Sequence, residues 1–200
     1  MVQYALAVAG ILALGFWLAN LIGTALYEET EAHRFDQDVK SGENATEVSL
    51  APLAPVVAPR NGAVVGKLEI PRVKVSVIVV EGADSRDLKH AAGHISGTAL
   101  PGERGNLGIA AHRDTFFRPL RDVRRGDNIV LHTLRGDYWY SVASTSVVLP
   151  DDIHALDSAG SETMTLVTCY PFYFIGSAPK RYVVMALMNY LAVPWRDAIH

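Results

Sequence analysis

The chain has 200 residues, with 18 Lys+Arg against 21 Asp+Glu, a formal net charge of -3 and 50% hydrophobic residues. That length suits one domain with a core able to stand alone, and the apolar content excludes a disordered chain. The charge balance excludes the basic footprint of a nucleic-acid binder, and a single cysteine, Cys169, excludes a disulfide framework or a multi-cysteine metal site.

From Met1 to Tyr27 there is no Asp, Glu, Lys or Arg. A helix of that length reaches roughly 40 Å, against a bilayer core ~30 Å thick. Leu6, Ile11, Leu12, Leu14, Phe16, Leu18, Leu21, Ile22 and Leu26 make it apolar on every face. The segment 1–27 therefore predicts a transmembrane anchor. The alternative is a cleaved signal peptide with Gly23-Thr24-Ala25 as its small-residue site. Signal cores run only ~7–15 residues and follow a basic segment, which is absent here. No Lys or Arg precedes the span and the first beyond it is Arg34, so the positive-inside count does not favour an N-in orientation.

Residues 28–63 read as a stalk. Glu28, Glu29, Glu31, Asp36 and Asp38 make its first part acidic, and Pro52, Pro55 and Pro59 favour an extended spacer. Residues 64–191 have the texture of a mainly β domain, and 192–200 form a short tail. Strand-like runs fall at Val64–Ile70, Val73–Val80, Asn106–Ala111, Asn128–Thr133, Tyr138–Val148, Met164–Cys169 and Tyr182–Met188. Turn signals separate them at Pro101-Gly102, Arg125-Gly126-Asp127 and Arg135-Gly136-Asp137. Asp84 to Ala91 reads as a short helix capped by Asp84 or Ser85. Seven or eight short strands with few helices suggest a barrel or sandwich.

Cys169 ends one of these strands, and Pro171 opens the loop after it. A lone cysteine is ordinarily a packing residue. Here the strand-end position, the polar neighbours Thr168 and Tyr170, and the oxidation risk of a free thiol outside the cytoplasm favour a reactive one. A thiol nucleophile needs a proton partner. Of seven histidines, His33 lies in the stalk, His200 ends the chain, His132 sits within a strand, His154 precedes the cysteine strand and His90 closes the short helix. His94 and His112 remain. His112 follows Leu107–Ala111 and opens a loop, the same strand-end placement as Cys169, which favours it over His94. Acyl transfer through a thiol also needs a donor for the oxyanion. Arg181, twelve positions after Cys169 at the start of the last strand, and Arg113, beside His112, both qualify.

Three segments carry a resemblance. Thr165-Leu166-Val167-Thr168-Cys169 matches the Thr-Leu-x-Thr-Cys signature of the sortases, the membrane-anchored cysteine transpeptidases of bacterial surfaces. Ala111-His112-Arg113-Asp114-Thr115 resembles their histidine segment, with Ala111 where many relatives carry glycine. Arg181 stands where their essential arginine does. The stretches Cys169–Arg181 and His112–Leu120 are most similar to class D sortases. The similarity covers about residues 64–190.

The resemblance implies a sortase-like eight-stranded β-barrel with Cys169, His112 and Arg181 as catalytic residues. It implies cleavage of a Leu-Pro-x-Thr-Gly-like sorting signal (LPxTG) between Thr and Gly through a thioester on Cys169, then transfer to an amine of the cell surface. Thr168 and the Tyr170 amide are implied near the reacting carbonyl. Ile153, Ala155 and Leu156, in the loop before the cysteine strand, are implied as apolar substrate contacts. The expected partners are surface proteins bearing the signal and an amine acceptor such as a wall precursor. The expected location is a bacterial membrane, with the N-terminus cytoplasmic and the barrel outside, where secreted substrates arrive. No cofactor or metal is expected. Asp151, Asp152 and Asp157 invite calcium, but acids in a loop are ordinarily solvated. The competing readings are a tethered β-barrel binding module without catalysis and a Cys-dependent hydrolase or wall cross-linker.

Overall fold

The computed structural model describes residues 4, 59–84, 87–152, 156–157, 161–174 and 176–190. The expected anchor over 1–27 (Tyr4 apart), the stalk up to residue 58, the tail, and Ile153, His154 and Ala155 lie outside the described residues. Among the described residues no helix is long and apolar enough to cross a membrane.

Eight strands form a closed barrel: β1 (Val64–Ile70), β2 (Val75–Glu81), β3 (Ala92–His94), β4 (Asn106–Ala110), β5 (Asn128–Thr133), β6 (Gly136–Val148), β7 (Thr163–Tyr170) and β8 (Lys180–Met188). Around the barrel the order is β1-β2-β3-β4-β7-β8-β6-β5, closed by β5 on β1. Two neighbouring pairs are parallel, β2 with β3 and β4 with β7, and the others are antiparallel. Closure leaves no strand edge unpaired along the ring.

Alternation along each strand builds the core. Leu68 and Ile70 of β1, Val77 and Val79 of β2, Leu107 and Ile109 of β4, Ile129 and Leu131 of β5, Met164 and Leu166 of β7, and Val184 and Ala186 of β8 form one buried cluster. Phe117 and Leu120, at and within the turn of 3-10 helix Arg118–Asp122, plug it from the β4–β5 connection.

All seven expected strands agree to within two residues at each end. β2 starts at Val75 rather than Val73, because Pro71–Val73 forms a 3-10 turn and Lys74 ends it in the left-handed region at φ 56. The helix expected over Asp84–Ala91 is only a 3-10 turn at Asp87–Lys89. Just after it comes an eighth strand, β3, in a segment where the sequence analysis placed no strand. The chain approaches itself too closely there for anything larger: a Cβ on Gly93 would lie 2.2 Å from the Gly82 carbonyl. The Arg135-Gly136-Asp137 hairpin is present, with Thr133 paired to Gly136.

Candidate active site

β7 lies between β4 and β8, and the register of these three strands gathers the site. On one side, Cys169 is the partner of Arg181. On the other, Ala110 is the partner of Val167 in a parallel ladder, and the Ala111 amide donates to the Val167 carbonyl at 3.2 Å. His112 follows Ala110 by two residues, as Cys169 follows Val167. Adjacent strands lie about 4.8 Å apart, so Arg181 stands directly across from Cys169 in the barrel wall.

Side-chain direction agrees. Leu107 and Ile109 belong to the core, so Asn106, Gly108 and Ala110 fall on the outer face of β4. By the same alternation Cys169 lies opposite in face to Met164 and Leu166, and Arg181 opposite in face to Val184 and Ala186. All three residues are half-buried, and Cys169 is a free thiol. The Arg181 Nη1 donates to the Lys180 carbonyl at 3.1 Å and to that of Ala178 at 3.4 Å.

Thr168 points inward and is buried. Its hydroxyl donates to the Ala111 carbonyl at 2.7 Å, tying the residue before the cysteine to the residue before the histidine. Tyr170 is half-buried in a ring cluster at the end of β7, stacked on Tyr182 at 6.3 Å and edge-on to Phe172 at 6.0 Å. Leu156 reaches over β4, where a Cβ on Gly108 would meet its Cδ2 at 3.2 Å. The same Cβ would meet Ile95 Cδ1 at 3.2 Å and Thr98 Cγ2 at 3.1 Å. The outer floor of β4 is thus small, and its walls come from the β3–β4 and β6–β7 connections.

Two other histidines, His94 and His132, are held by partners of their own. His94 is buried, with Nδ1 2.5 Å from Glu81 and Nε2 facing the Thr98 hydroxyl at 3.0 Å and the Ala99 carbonyl at 3.2 Å. It braces the β3–β4 connection. His132 pairs with Asp137 at 2.8 Å and lies 3.7 Å from Glu69 on the barrel surface. The carboxylate of Glu69, and after it that of Asp137, favours the protonated ring and raises its pKa above the ordinary histidine value, against burial.

Arg113 does not take the place of Arg181 across from Cys169. Its Nη2 donates to the carbonyls of Phe174 and Gly176 in the β7–β8 loop. Arg121 adds a second tie to that loop, with a hydrogen bond to the Tyr173 hydroxyl and its guanidinium 5.4 Å from the ring centroid. Sequence reasoning weighed Arg113 only as an oxyanion donor. Its place directly after His112 was the available signal, but the loop it grips is remote in sequence. Among the described residues no cluster of His, Cys, Asp or Glu has metal-site geometry.

Residues 68–189 match the Sortase domain family model. The chain belongs to the sortase family. It is 32% identical over 183 residues to Sortase D of Bacillus subtilis (strain 168), covering 88% of this chain and 91% of that one. It is 28% identical over 125 residues to Sortase A of Bacillus anthracis, covering 60% and 58% of the two chains. Among solved structures, a Sortase D5 transpeptidase from Clostridium perfringens aligns with TM-score 0.66 and 26% identity, over 82% of this chain and 98% of that one. Clostridium perfringens sortase C with the C-terminal cell wall sorting motif aligns with TM-score 0.61 and 27% identity, over 82% and 92%. Membership makes this sortase a cysteine transpeptidase by class, which sets aside the binding module without catalysis.

Proposed function

We propose that this sortase is a membrane-anchored transpeptidase. It cleaves a Leu-Pro-x-Thr-Gly-like signal between Thr and Gly and joins the new threonine carbonyl to an amine of the cell surface. The observation that carries this reading is the pairing of Cys169 with Arg181 on β7 and β8, beside the parallel ladder of β7 with β4, the strand that leads into His112.

In this mechanism the Cys169 thiolate attacks the threonine carbonyl. The tetrahedral oxyanion is stabilised by the Arg181 guanidinium and the Tyr170 amide. His112 protonates the departing glycine amine, leaving a thioester on Cys169, then removes a proton from the incoming amine as it attacks. Thr168 acts from below by holding the histidine and cysteine strands together. Leu156 walls the groove for the Leu-Pro end of the signal, together with Ile153 and Ala155. From Gly108 to His112 is about 13 Å at ~3.3 Å per residue, which an extended Leu-Pro-x-Thr segment spans. No cofactor takes part, and the carboxylates of the 150–162 loop are read as solvated rather than calcium-binding. Segment 1–27 anchors the chain with its N-terminus in the cytoplasm and the barrel outside.

The test is a fluorogenic peptide containing the signal, mixed with diaminopimelate or glycine amines and followed by mass spectrometry. Cleavage between Thr and Gly with transfer to the amine is expected, and its loss in Cys169→Ala and His112→Ala. Cleavage without transfer to any amine contradicts the transpeptidase step.

A further inference from the structure

Charge is unevenly placed on this barrel. Strands β1, β4, β6 and β7 run one way and β2, β3, β5 and β8 the other. The barrel is therefore entered at Val64 from one end, where β8 also finishes at Met188. The ends of β4 and β7 and the starts of β5 and β8 lie at the opposite end. β1 spans roughly 20 Å between the two. At the far end, residues 118–125 read Arg-Pro-Leu-Arg-Asp-Val-Arg-Arg, four arginines against one acid in a chain of net charge -3.

Packing turns these arginines outward. Leu120 and Val123 are buried in the core, while Arg118, Arg121, Arg124 and Arg125 are exposed. The 3-10 turn Arg118–Asp122 has three residues per turn, so Arg118 and Arg121 share one face, roughly 6 Å apart along its axis. The neighbouring acids leave most of this charge uncompensated. Asp127 is taken by Arg72, whose Nε and Nη2 lie 2.5 and 2.7 Å from its carboxylate. Asp122 lies 3.2 Å from Arg121. Among the described residues no ion pair holds Arg118, Arg124 or Arg125. Arg121 also binds the Tyr173 hydroxyl and lies 5.4 Å from its ring centroid, which fixes an aromatic side chain that is 72% exposed at the border of the patch. An ordinary solvated face mixes the two signs of charge, and this one is of one sign.

The guanidinium fork matches the oxygens of a phosphate, and several forks in succession suit a chain of phosphates better than one ion. We propose that the Arg118–Arg125 face docks the barrel on a phosphodiester polymer of the cell envelope. The proposed anchor joins the barrel at the entry end, so these arginines face away from the membrane. That orientation selects a polymer outside the bilayer over lipid headgroups. The surface takes no part in the chemistry and does not supply the acceptor amine; it holds the active-site end of the barrel against the polymer.

The test uses the full chain in neutral detergent and fluorescently labelled poly(glycerol phosphate), with binding read by anisotropy over a series of salt concentrations. The native protein is expected to bind with a log–log salt slope of about -2 to -3, as three or four phosphates are neutralised. Arg118→Gln/Arg125→Gln is expected to weaken binding about tenfold and to flatten the slope by about 1.4. Arg104→Gln/Arg135→Gln removes the same charge from exposed positions at the entry end and is expected to change affinity by about twofold at most. No binding by the native protein, or equal losses in the two variants, overturns the proposal. Equally tight binding of poly-glutamate overturns the phosphate chemistry. Phosphatidylglycerol in the micelles that displaces the label better than unlabelled polymer, at equal phosphate, makes lipid the occupant and overturns the polymer. The assay needs no cleavage, so its outcome is independent of the sorting-signal reading.

Discussion

The buried Thr168 hydroxyl donates to the Ala111 carbonyl across the β4–β7 junction. It is a side-chain bond joining the two segments that carry His112 and Cys169, one residue before each. Thr168→Val keeps the shape and removes the donor, leaving a buried carbonyl short of a partner. Stability falls by about 1–3 kcal/mol, and kcat falls about ten- to a hundredfold as the two segments loosen, with KM moving less. Thr168→Ser restores most of both. Urea unfolding and steady-state kinetics on the three proteins check this.

His94 and His112 separate by what they hold. His94→Ala leaves Glu81 buried without its imidazole partner and costs about 3–5 kcal/mol. In the proposed mechanism His112→Ala removes the base and abolishes transfer, while its stability stays within about 0.5 kcal/mol, because His112 lies past the end of β4 and outside the buried core. Thermal unfolding beside an activity assay distinguishes them. A stable His94→Ala would contradict the bracing role.

Gly93 tolerates no side chain. In Gly93→Ala the new methyl would lie 2.2 Å from the Gly82 carbonyl and 2.8 Å from the Ala83 Cα, both backbone. Relief requires β3 to leave its place between β2 and β4. The expected cost is about 1–3 kcal/mol or more, read from chemical denaturation.

The surface set Lys67, Glu69, His132 and Asp137 predicts a pH window. Glu69 is held down at about 2, chiefly by the hydrogen bond from His132 and further by Lys67, against burial. A lowered carboxylate contributes stability that is complete above its unfolded value of 4.5 and disappears as pH falls toward 2. His132 is raised, so its contribution is complete below its unfolded value of 6.5 and fades as pH rises through the higher folded value. Both operate between pH 4.5 and 6.5. Glu69→Gln should cost about 0.5–1 kcal/mol at pH 5.5, since the pair is partly exposed, and less at pH 9. Urea midpoints at the two pH values test it; an equal cost at both would contradict the pairing.

The strand pattern was legible in the sequence because alternation, β-branched runs and Gly-containing turns all point to the same strands. β3 was not, since three residues, Ala92, Gly93 and His94, carry no period and owe their strand to the neighbours on each side. Cys169, His112 and Arg181 drew attention in the sequence because each lies at or near a strand end within a recognisable motif. The pairing that lays β4 beside β7 was not legible, because the two strands are more than fifty residues apart. The same long range hid the bond from Thr168 to Ala111 and the grip of Arg113 on Phe174 and Gly176.

The central claim is that Cys169 carries the acyl group between cleavage and transfer. The full chain would be mixed with a panel of Leu-Pro-x-Thr-Gly peptides without added amine, quenched in acid, and its intact mass measured. A mass increase equal to the peptide up to and including Thr, located on Cys169 and released onto an amine added afterwards, is the predicted result. Cleavage of the peptide by Cys169→Ala, or a native thiol that reacts with alkylating agents yet never gains the acyl mass, would contradict it.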